Sequence, residues 1–136
     1  MIAKTVWKKD MEFDGHSESG HHVVFDAGAA HANGPTPMEA VLMALCACTS
    51  VDVVSILKKK REHLTSLTVS ATAEQAAEPP RIFTRISLVY HVGGAVSKKA
   101  AEDAVALSKN KYCSVSKMLE KAVQIDFTIE YANTTV

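Results

Sequence analysis

The sequence has no excess of charge of either sign. Fifteen basic and fifteen acidic side chains cancel, and neither end of the chain concentrates one sign. Aromatic residues are also few, at 6%. Binding of nucleic acid or of an anionic membrane through a basic face needs clustered positive charge, and stacking on single strands needs aromatic rings. We therefore expect neither nucleic acid nor a membrane among the partners of this protein.

Cysteine is scarce, and the three residues present are an odd number. A secreted domain stabilised by disulfides carries a denser and even set, so reduced thiols in a reducing compartment are expected. The N-terminus lacks the apolar core and the cleavage site of a signal peptide, which makes the cytoplasm the default location. With 47% hydrophobic residues, 136 residues can build a core without disulfides, and we predict one domain over residues 1–136.

The longest apolar stretch lies in residues 34–61, GPTPMEAVLMALCACTSVDVVSILKKKR. Thr36 suits the N-cap of a helix, Pro37 suits its first position, and Glu39 places a carboxylate at the positive end of the helix dipole. From Ala40 to Leu57 the stretch is apolar on nearly every face, which is typical of a helix surrounded by protein. A membrane span is the alternative, but polar residues such as Asp52 interrupt the run.

Alternating apolar and polar residues predict strands on both sides of this helix. We expect a first hairpin that turns near Asp14–Gly15, and a second hairpin that is interrupted at Pro79–Pro80 and ends at Gly93–Gly94. Ser97 is a plausible cap for a helix of about twelve residues, and a short helix follows from Tyr112. The predicted order is ββ-α-ββ-αα-β, an α+β fold with an antiparallel sheet on a central helix. The expected strands are residues 2–13, 21–26, 67–74, 82–92 and 123–131.

Two of the cysteines, Cys46 and Cys48, are separated by one residue on the predicted helix. Their side chains point about 200° apart, so they cannot readily form a disulfide or converge on one metal ion. Taken alone, each is most often a small hydrophobe in the core. Cys113 lies at the start of a predicted helix, where free amides and the dipole lower a thiol's pKa. A thiol of that kind is a plausible partner in disulfide exchange.

Histidine is concentrated before the long helix, and a metal site there is one hypothesis. His21 and His22 are adjacent on a strand and point to opposite faces, so we expect solvated loop histidines and no metal. No flavin or nucleotide is indicated either. Trp7 and Tyr112 are interpreted as core residues, with the alternative that they line an apolar pocket beside the thiols.

The segment GPTPMEAVLMALCACTSVDVVSIL, followed by KYCSVSKMLEKA, resembles the OsmC/Ohr family of organic hydroperoxide reductases, and most closely its OsmC-like branch. The resemblance covers essentially the whole chain. It implies that Cys48 is the peroxidatic cysteine and Cys113 the resolving one, while Cys46 has no family role. It also implies an intertwined homodimer whose central helices pack together, which would account for a helix that is apolar all round.

Family peroxidases activate the thiolate with an arginine from the N-terminal region, held by a glutamate ten residues before the reactive cysteine. Here no arginine precedes Arg61, and Met38 occupies the glutamate position. Glu39, one residue further along the helix, is the candidate for the catalytic carboxylate. Arg81, Arg85, or a lysine or histidine of the N-terminal hairpin could supply the cation across a dimer interface.

The resemblance therefore predicts a cytoplasmic homodimer that reduces organic hydroperoxides, with no cofactor and with an external dithiol as reductant. This is a peroxiredoxin-like function in oxidative-stress defence. The alternative keeps the fold but makes the protein a non-catalytic dimer that binds a small apolar ligand. The missing arginine and the displaced glutamate favour that alternative.

Overall fold

The computed structural model describes residues 1–132, and the chain forms two compact units. The first is Met1–Leu42 and the second begins at Met43. The long predicted helix is present as α1, Pro37–Lys59, and it passes from the first unit into the second. The expectation of one domain remains a prediction.

The first unit contains three strands, β1 (Ala3–Lys9), β2 (Glu12–Ser17) and β3 (His22–Asp26), in one antiparallel sheet. The predicted single strand over residues 2–13 is wrong, because the chain turns at Asp10, whose φ is 44°. Gly15 lies inside β2 instead of in a turn. Its missing side chain makes room for a ring on the neighbouring strand, since an added Cβ would lie 2.7 Å from Phe25.

The start of α1 is fixed by a reciprocal pair of hydrogen bonds. The Glu39 amide donates to Thr36 Oγ1 at 3.1 Å, and the Thr36 amide donates to Glu39 Oε1 at 3.0 Å. This is a capping box, in which each side chain satisfies an amide that the helix leaves free. The predicted helix start is confirmed.

Within one chain, α1 buries a single stripe of side chains. Leu45, Thr49, Val53 and Leu57 follow each other at intervals of four residues and are buried. The opposite face is exposed and includes Val51, at 67%. The expectation that protein surrounds the helix on all sides is therefore wrong for the single chain. The helix has the length and mean hydropathy (2.2) of a membrane span, but its buried stripe is that of a core helix.

The second unit contains β4 (His63–Gln75), β5 (Phe83–Ala95) and β6 (Gln124–Tyr131), in that order across the sheet. Strands β4 and β5 are antiparallel, as predicted, whereas β6 pairs parallel to β5. A wholly antiparallel sheet was the wrong prediction, because helices separate β5 from β6 and return the chain to the same end. Gly94, at φ +105°, lies within β5 at an irregularity opposite Leu64 and Ser66 and does not end the strand.

Two helices connect β5 to β6. Helix α2 (Lys98–Leu107) begins at Ser97, whose Oγ accepts the Ala100 amide at 3.1 Å. A π-helical segment, Ser108–Tyr112, follows without a break. Helix α3 (Ser114–Leu119) begins at Cys113, which is its N-cap. The two predicted helices and the α+β fold class are confirmed, while the π-helical segment was not predicted.

Candidate functional site

Cys48 and Cys113, which are far apart in sequence, are brought together in the second unit. Cys48 lies half-buried on α1, and Cys113 is fully buried at the N-terminus of α3. The Cys48 thiol lies near enough to Cys113 to raise the pKa of that thiol. An oxidant that enters from solvent therefore reaches Cys48 before it reaches Cys113.

Burial raises the pKa of the Cys113 thiol to about 11, so the predicted low pKa is wrong. The Ser116 amide donates to Cys113 Sγ at 3.4 Å and lowers the pKa, as expected for a helix N-terminus. This effect is smaller than the cost of charging a thiol that has no contact with water. The hydrogen bond and charge of Cys48, and the charge of Asp52, raise the pKa further.

A chain of hydrogen-bonded hydroxyl groups lies beside the two thiols. Ser108 Oγ donates to Asp52 Oδ2 at 2.8 Å, and Thr49 Oγ1 is 2.7 Å from Ser108 Oγ. Tyr90 Oη is 2.7 Å from Thr49 Oγ1. Because each hydroxyl has one proton and a carboxylate only accepts, the donation runs from Tyr90 to Thr49, then to Ser108, and ends at Asp52.

The hydroxyl chain is deeply buried, and burial disfavours the charged form of its tyrosine. Thr49, Tyr90 and Ser108 are each at most 2% exposed. Burial raises the pKa of Tyr90 to about 12, although its hydrogen bond with Thr49 works in the opposite direction. Sequence reasoning missed Tyr90 and Ser108 as site residues. The one available signal was the pair of polar residues, Thr49 and Asp52, inside an apolar helix.

A cavity of about 390 Å³ opens where Asp52 ends this chain. Its wall combines apolar side chains with two lysine ammonium groups. Tyr112 contributes to the wall and is 50% exposed, so its interpretation as core filling is wrong. Neither Cys48 nor Cys113 lines this cavity, so it is not the apolar pocket beside the thiols that was the alternative. Trp7 is 66% exposed in the first unit and is not a core residue. The lining residues are Asp52, Ser55, Ile56, Lys59, Lys60, Leu107 and Tyr112.

The remaining charged candidates have other partners. The Glu39 carboxylate is engaged in the capping box, and the Thr36 amide and hydroxyl lower its pKa. Arg85 forms an ion pair with Asp126 at 2.8 Å, and Arg81 Nε donates to the Ala76 carbonyl at 3.2 Å. In residues 1–132, no arginine is among the groups that shift the pKa of Cys113.

The histidines near the N-terminus differ from the predicted loop residues. His16 lies on β2 and His22 on β3, and their rings stack with centroids 5.7 Å apart. His31 Nδ1 lies 3.2 Å from the Asp26 carbonyl oxygen. No three His, Cys, Asp or Glu side chains of the described chain are arranged to hold a metal ion.

The raised pKa values of Tyr90 and Cys113 predict how stability depends on pH. Each group is favoured in its neutral form by folding, so its contribution is complete below its ordinary pKa of 10 or 9 and is lost as pH rises through its folded pKa. We expect the free energy of unfolding to fall between about pH 9 and pH 12. Urea unfolding followed by circular dichroism across this range is the measurement.

Two tyrosine variants test whether Tyr90 causes the fall in the free energy of unfolding. Tyr90→Phe should flatten the upper part of the profile, whereas Tyr112→Phe, at a half-exposed position, should leave it unchanged. A free energy of unfolding that is constant up to pH 12, or an equal effect of the two variants, would contradict the assignment.

Known proteins resemble this chain in sequence and in fold. Residues 30–128 match the model of the OsmC-like protein family, and the chain belongs to that family. It is similar to Protein YhfA of Escherichia coli (strain K12), with 46% identity over 131 residues that cover 96% of this chain and 97% of the relative. Proteins of this family are soluble, and the resemblance seen in the sequence is confirmed.

Some solved structures have a similar fold although their sequence identity to this chain is low. The OsmC-like protein of Mycoplasma pneumoniae has a TM-score of 0.85 at 17% identity and covers 97% of this chain and 96% of its own. The organic hydroperoxide resistance protein OhrB of Bacillus subtilis has a TM-score of 0.70 at 16% identity, over 96% and 98%. These two structures share the fold of this chain.

Proposed function

We propose that this protein is a cytoplasmic thiol peroxidase that reduces organic hydroperoxides in oxidative-stress defence. The observation that carries the proposal is the interaction between the half-buried thiol of Cys48 and the buried thiol of Cys113. Membership of the OsmC-like family and the fold shared with a hydroperoxide resistance protein support it. A nucleophile that substrate can reach and a shielded partner beside it are the two parts that a dithiol peroxidase needs.

In the first step the Cys48 thiolate attacks the distal oxygen of the hydroperoxide. The O–O bond breaks, a sulfenic acid forms on Cys48, and the alkoxide takes up a proton and leaves as an alcohol. Sulfur is oxidised by two electrons and the peroxide is reduced by two. Cys113 remains a neutral thiol during this step because its pKa is high.

In the second step the sulfur of Cys113 attacks the sulfenic sulfur of Cys48. The S–O bond breaks, a disulfide forms, and hydroxide leaves with the Cys113 proton as water. Conversion of Cys48 to a sulfenic acid removes its thiolate charge, which is one of the causes of the raised pKa of Cys113. The resolving thiol is thus deprotonated more easily after oxidation. An external dithiol then reduces the disulfide by exchange.

The catalytic carboxylate proposed for this chain remains Glu39, the nearest acidic residue to the family position. In the single chain the Glu39 carboxylate accepts a hydrogen bond from the Thr36 amide. A cation that contacts this carboxylate would take the place of the arginine that family peroxidases use. The N-terminal hairpin of a partner subunit is the source we propose for that cation. Lys4, Lys8 and Lys9 are the exposed basic residues of its first strand.

We propose further that the protein is a homodimer in which the exposed face of α1 packs on its counterpart. This face carries the small or apolar residues Ala44, Ala47 and Val51, and it lies opposite the buried stripe of the same helix. An apolar helix face that is left in water is a candidate interface. Small side chains also allow two helix axes to approach closely.

Val51→Glu is expected to shift the protein from dimer to monomer. The substitution places a charge where an apolar contact is proposed, and a buried unpaired charge is strongly unfavourable. Analytical ultracentrifugation at equal protein concentrations gives the mass of each species. Lys121→Glu is the control, because residue 121 is exposed in the turn after α3. A wild-type monomer, or a Val51→Glu dimer as stable as the wild type, would contradict the interface.

Turnover tests the proposed activity. Reduced protein is mixed with a small alkyl hydroperoxide and excess dithiothreitol, and the loss of hydroperoxide is followed. We expect each protein molecule to consume many equivalents of hydroperoxide, at a higher rate than dithiothreitol alone. Consumption equal to that of dithiothreitol alone would reject the activity.

A second candidate function is a non-catalytic binding protein for a small apolar ligand. The cavity beside Asp52 favours it, as does the absence of arginine among the groups that act on Cys113 in the described residues. In that case the wild-type protein consumes no hydroperoxide. The Cys48→Ser variant then binds an apolar fluorescent probe with unchanged affinity.

A further inference from the structure

Ser108 connects the helix of Cys48 to the turn that precedes Cys113 through both its side chain and its backbone. Its hydroxyl contacts two residues of α1, accepting from Thr49 at 2.7 Å and donating to Asp52 at 2.8 Å. These two residues lie directly after Cys48 and one helical turn beyond it. The side chain of Ser108 therefore fixes the position of the π-helical segment relative to the reactive part of α1.

The backbone of Ser108 makes the second connection. Its carbonyl accepts the Cys113 amide at 2.8 Å, and this bond closes the π-helical turn. Its own amide donates to the carbonyls of Ala104 and Val105 at the end of α2. Single π-helical turns are rare and are frequently found at functional sites. Ser108 is fully buried, and each of its polar groups has a partner.

We propose that Ser108 is a positioning residue that holds the Cys113 thiol beside Cys48 for disulfide formation. Alignment of two reacting groups contributes a large effective concentration, and a displacement of about 1 Å can lower a rate on the order of 10²-fold. Without the Ser108 hydroxyl, the segment Ser108–Tyr112 loses its two side-chain bonds to α1. The hydrogen bond from the Cys113 amide to the Ser108 carbonyl then holds Cys113 to a turn that no longer has side-chain bonds to α1.

The inference rests on the proposed function for the resolving role of Cys113, but its first test needs no peroxide. Protein is equilibrated with mixtures of reduced and oxidised glutathione, and the fraction of Cys48–Cys113 disulfide gives the effective concentration of the two thiols. Ser108→Ala is expected to lower this concentration by about tenfold or more. A value within twofold of the wild type overturns the proposal.

Ser116→Ala is the matched control for this experiment. It also removes the hydroxyl group of a buried serine near Cys113, but it keeps the Ser116 amide that contacts Cys113 Sγ. We expect its effective concentration to equal that of the wild type. An equal loss in both variants would assign the effect to general loosening of the core and overturn the positioning role.

Thr49→Val is the second variant, in case Ser108→Ala does not fold. It keeps the size of the side chain but removes the donor to Ser108, and we expect a smaller loss in the same direction. An unchanged effective concentration in a folded Thr49→Val protein, together with an unfolded Ser108→Ala protein, counts against the proposal.

A kinetic test separates the failure of this inference from the failure of the proposed function. After one equivalent of a small alkyl hydroperoxide, Ser108→Ala should form the sulfenic acid on Cys48 at the wild-type rate. It should then accumulate about tenfold more of the dimedone adduct of Cys48, because resolution is slow. If the wild-type protein consumes no hydroperoxide while the glutathione result holds, the proposed function fails and the positioning role stands.

Discussion

Cys48→Ser is expected to lower hydroperoxide consumption to the rate of the dithiol reductant alone. A serine hydroxyl is almost never ionised at neutral pH and cannot form a sulfenic acid, so the first step has no nucleophile. Loss of a covalent nucleophile costs at least about 10³-fold in turnover in enzymes of other classes. We expect a loss of that order, measured as hydroperoxide consumption with excess dithiothreitol.

The other two cysteines provide the controls for this prediction. Cys46→Ser should keep the wild-type rate, because Cys46 points away from Cys48 on α1 and has no part in the proposed reaction. Cys113→Ser should allow one rapid turnover and then accumulate the sulfenic acid on Cys48. Full activity of Cys48→Ser together with an inactive Cys46→Ser would show that the nucleophile is assigned to the wrong cysteine.

Leu57→Ala is expected to destabilise the protein by about 2–5 kcal/mol, which is a large part of the total stability of a typical domain. Leu57 is fully buried at the end of the α1 stripe, and the substitution leaves a cavity there. Urea unfolding followed by circular dichroism gives the free energy. Protein concentration is held constant, because association would contribute to it.

Leu107→Ala deletes the same atoms at a position that is 39% exposed. The transfer and cavity contributions are smaller where water already contacts the side chain, so we expect a loss of at most about 1 kcal/mol. Equal losses in the two leucine variants would contradict the assignment of the Leu45–Leu57 stripe to the core.

The parts of the fold that the sequence predicted are those set by local chemistry. Thr36 and Glu39 have the spacing of a capping box, and the box is present. Ser97 caps α2 for the same reason. The turn expected at Gly15 was wrong because a glycine inside a strand can also make room for a neighbouring side chain, here Phe25. The parallel pairing of β6 depends on which strands, distant in sequence, lie side by side. The periodicity of apolar residues carries no information about this pairing.

The candidate site was predicted only in part for a similar reason. The resemblance selected Cys48 and Cys113, and the structure brings these two residues together. The pKa of Cys113 depends on burial, which overrides its favourable place at a helix N-terminus. The bond between Thr49 and Ser108 joins residues of separate helical segments. No local sequence pattern predicts a contact of that kind, so Ser108 is identified as a site residue only from the packing.

Disulfide mapping by peptide mass spectrometry tests whether Cys48 and Cys113 react as a pair. Fully reduced protein is treated with one equivalent of a small alkyl hydroperoxide, quenched with a thiol-alkylating reagent and digested. We expect a disulfide between Cys48 and Cys113, with Cys46 recovered as the alkylated free thiol. Three alkylated cysteines beside unconsumed hydroperoxide, or a disulfide that includes Cys46, would contradict it.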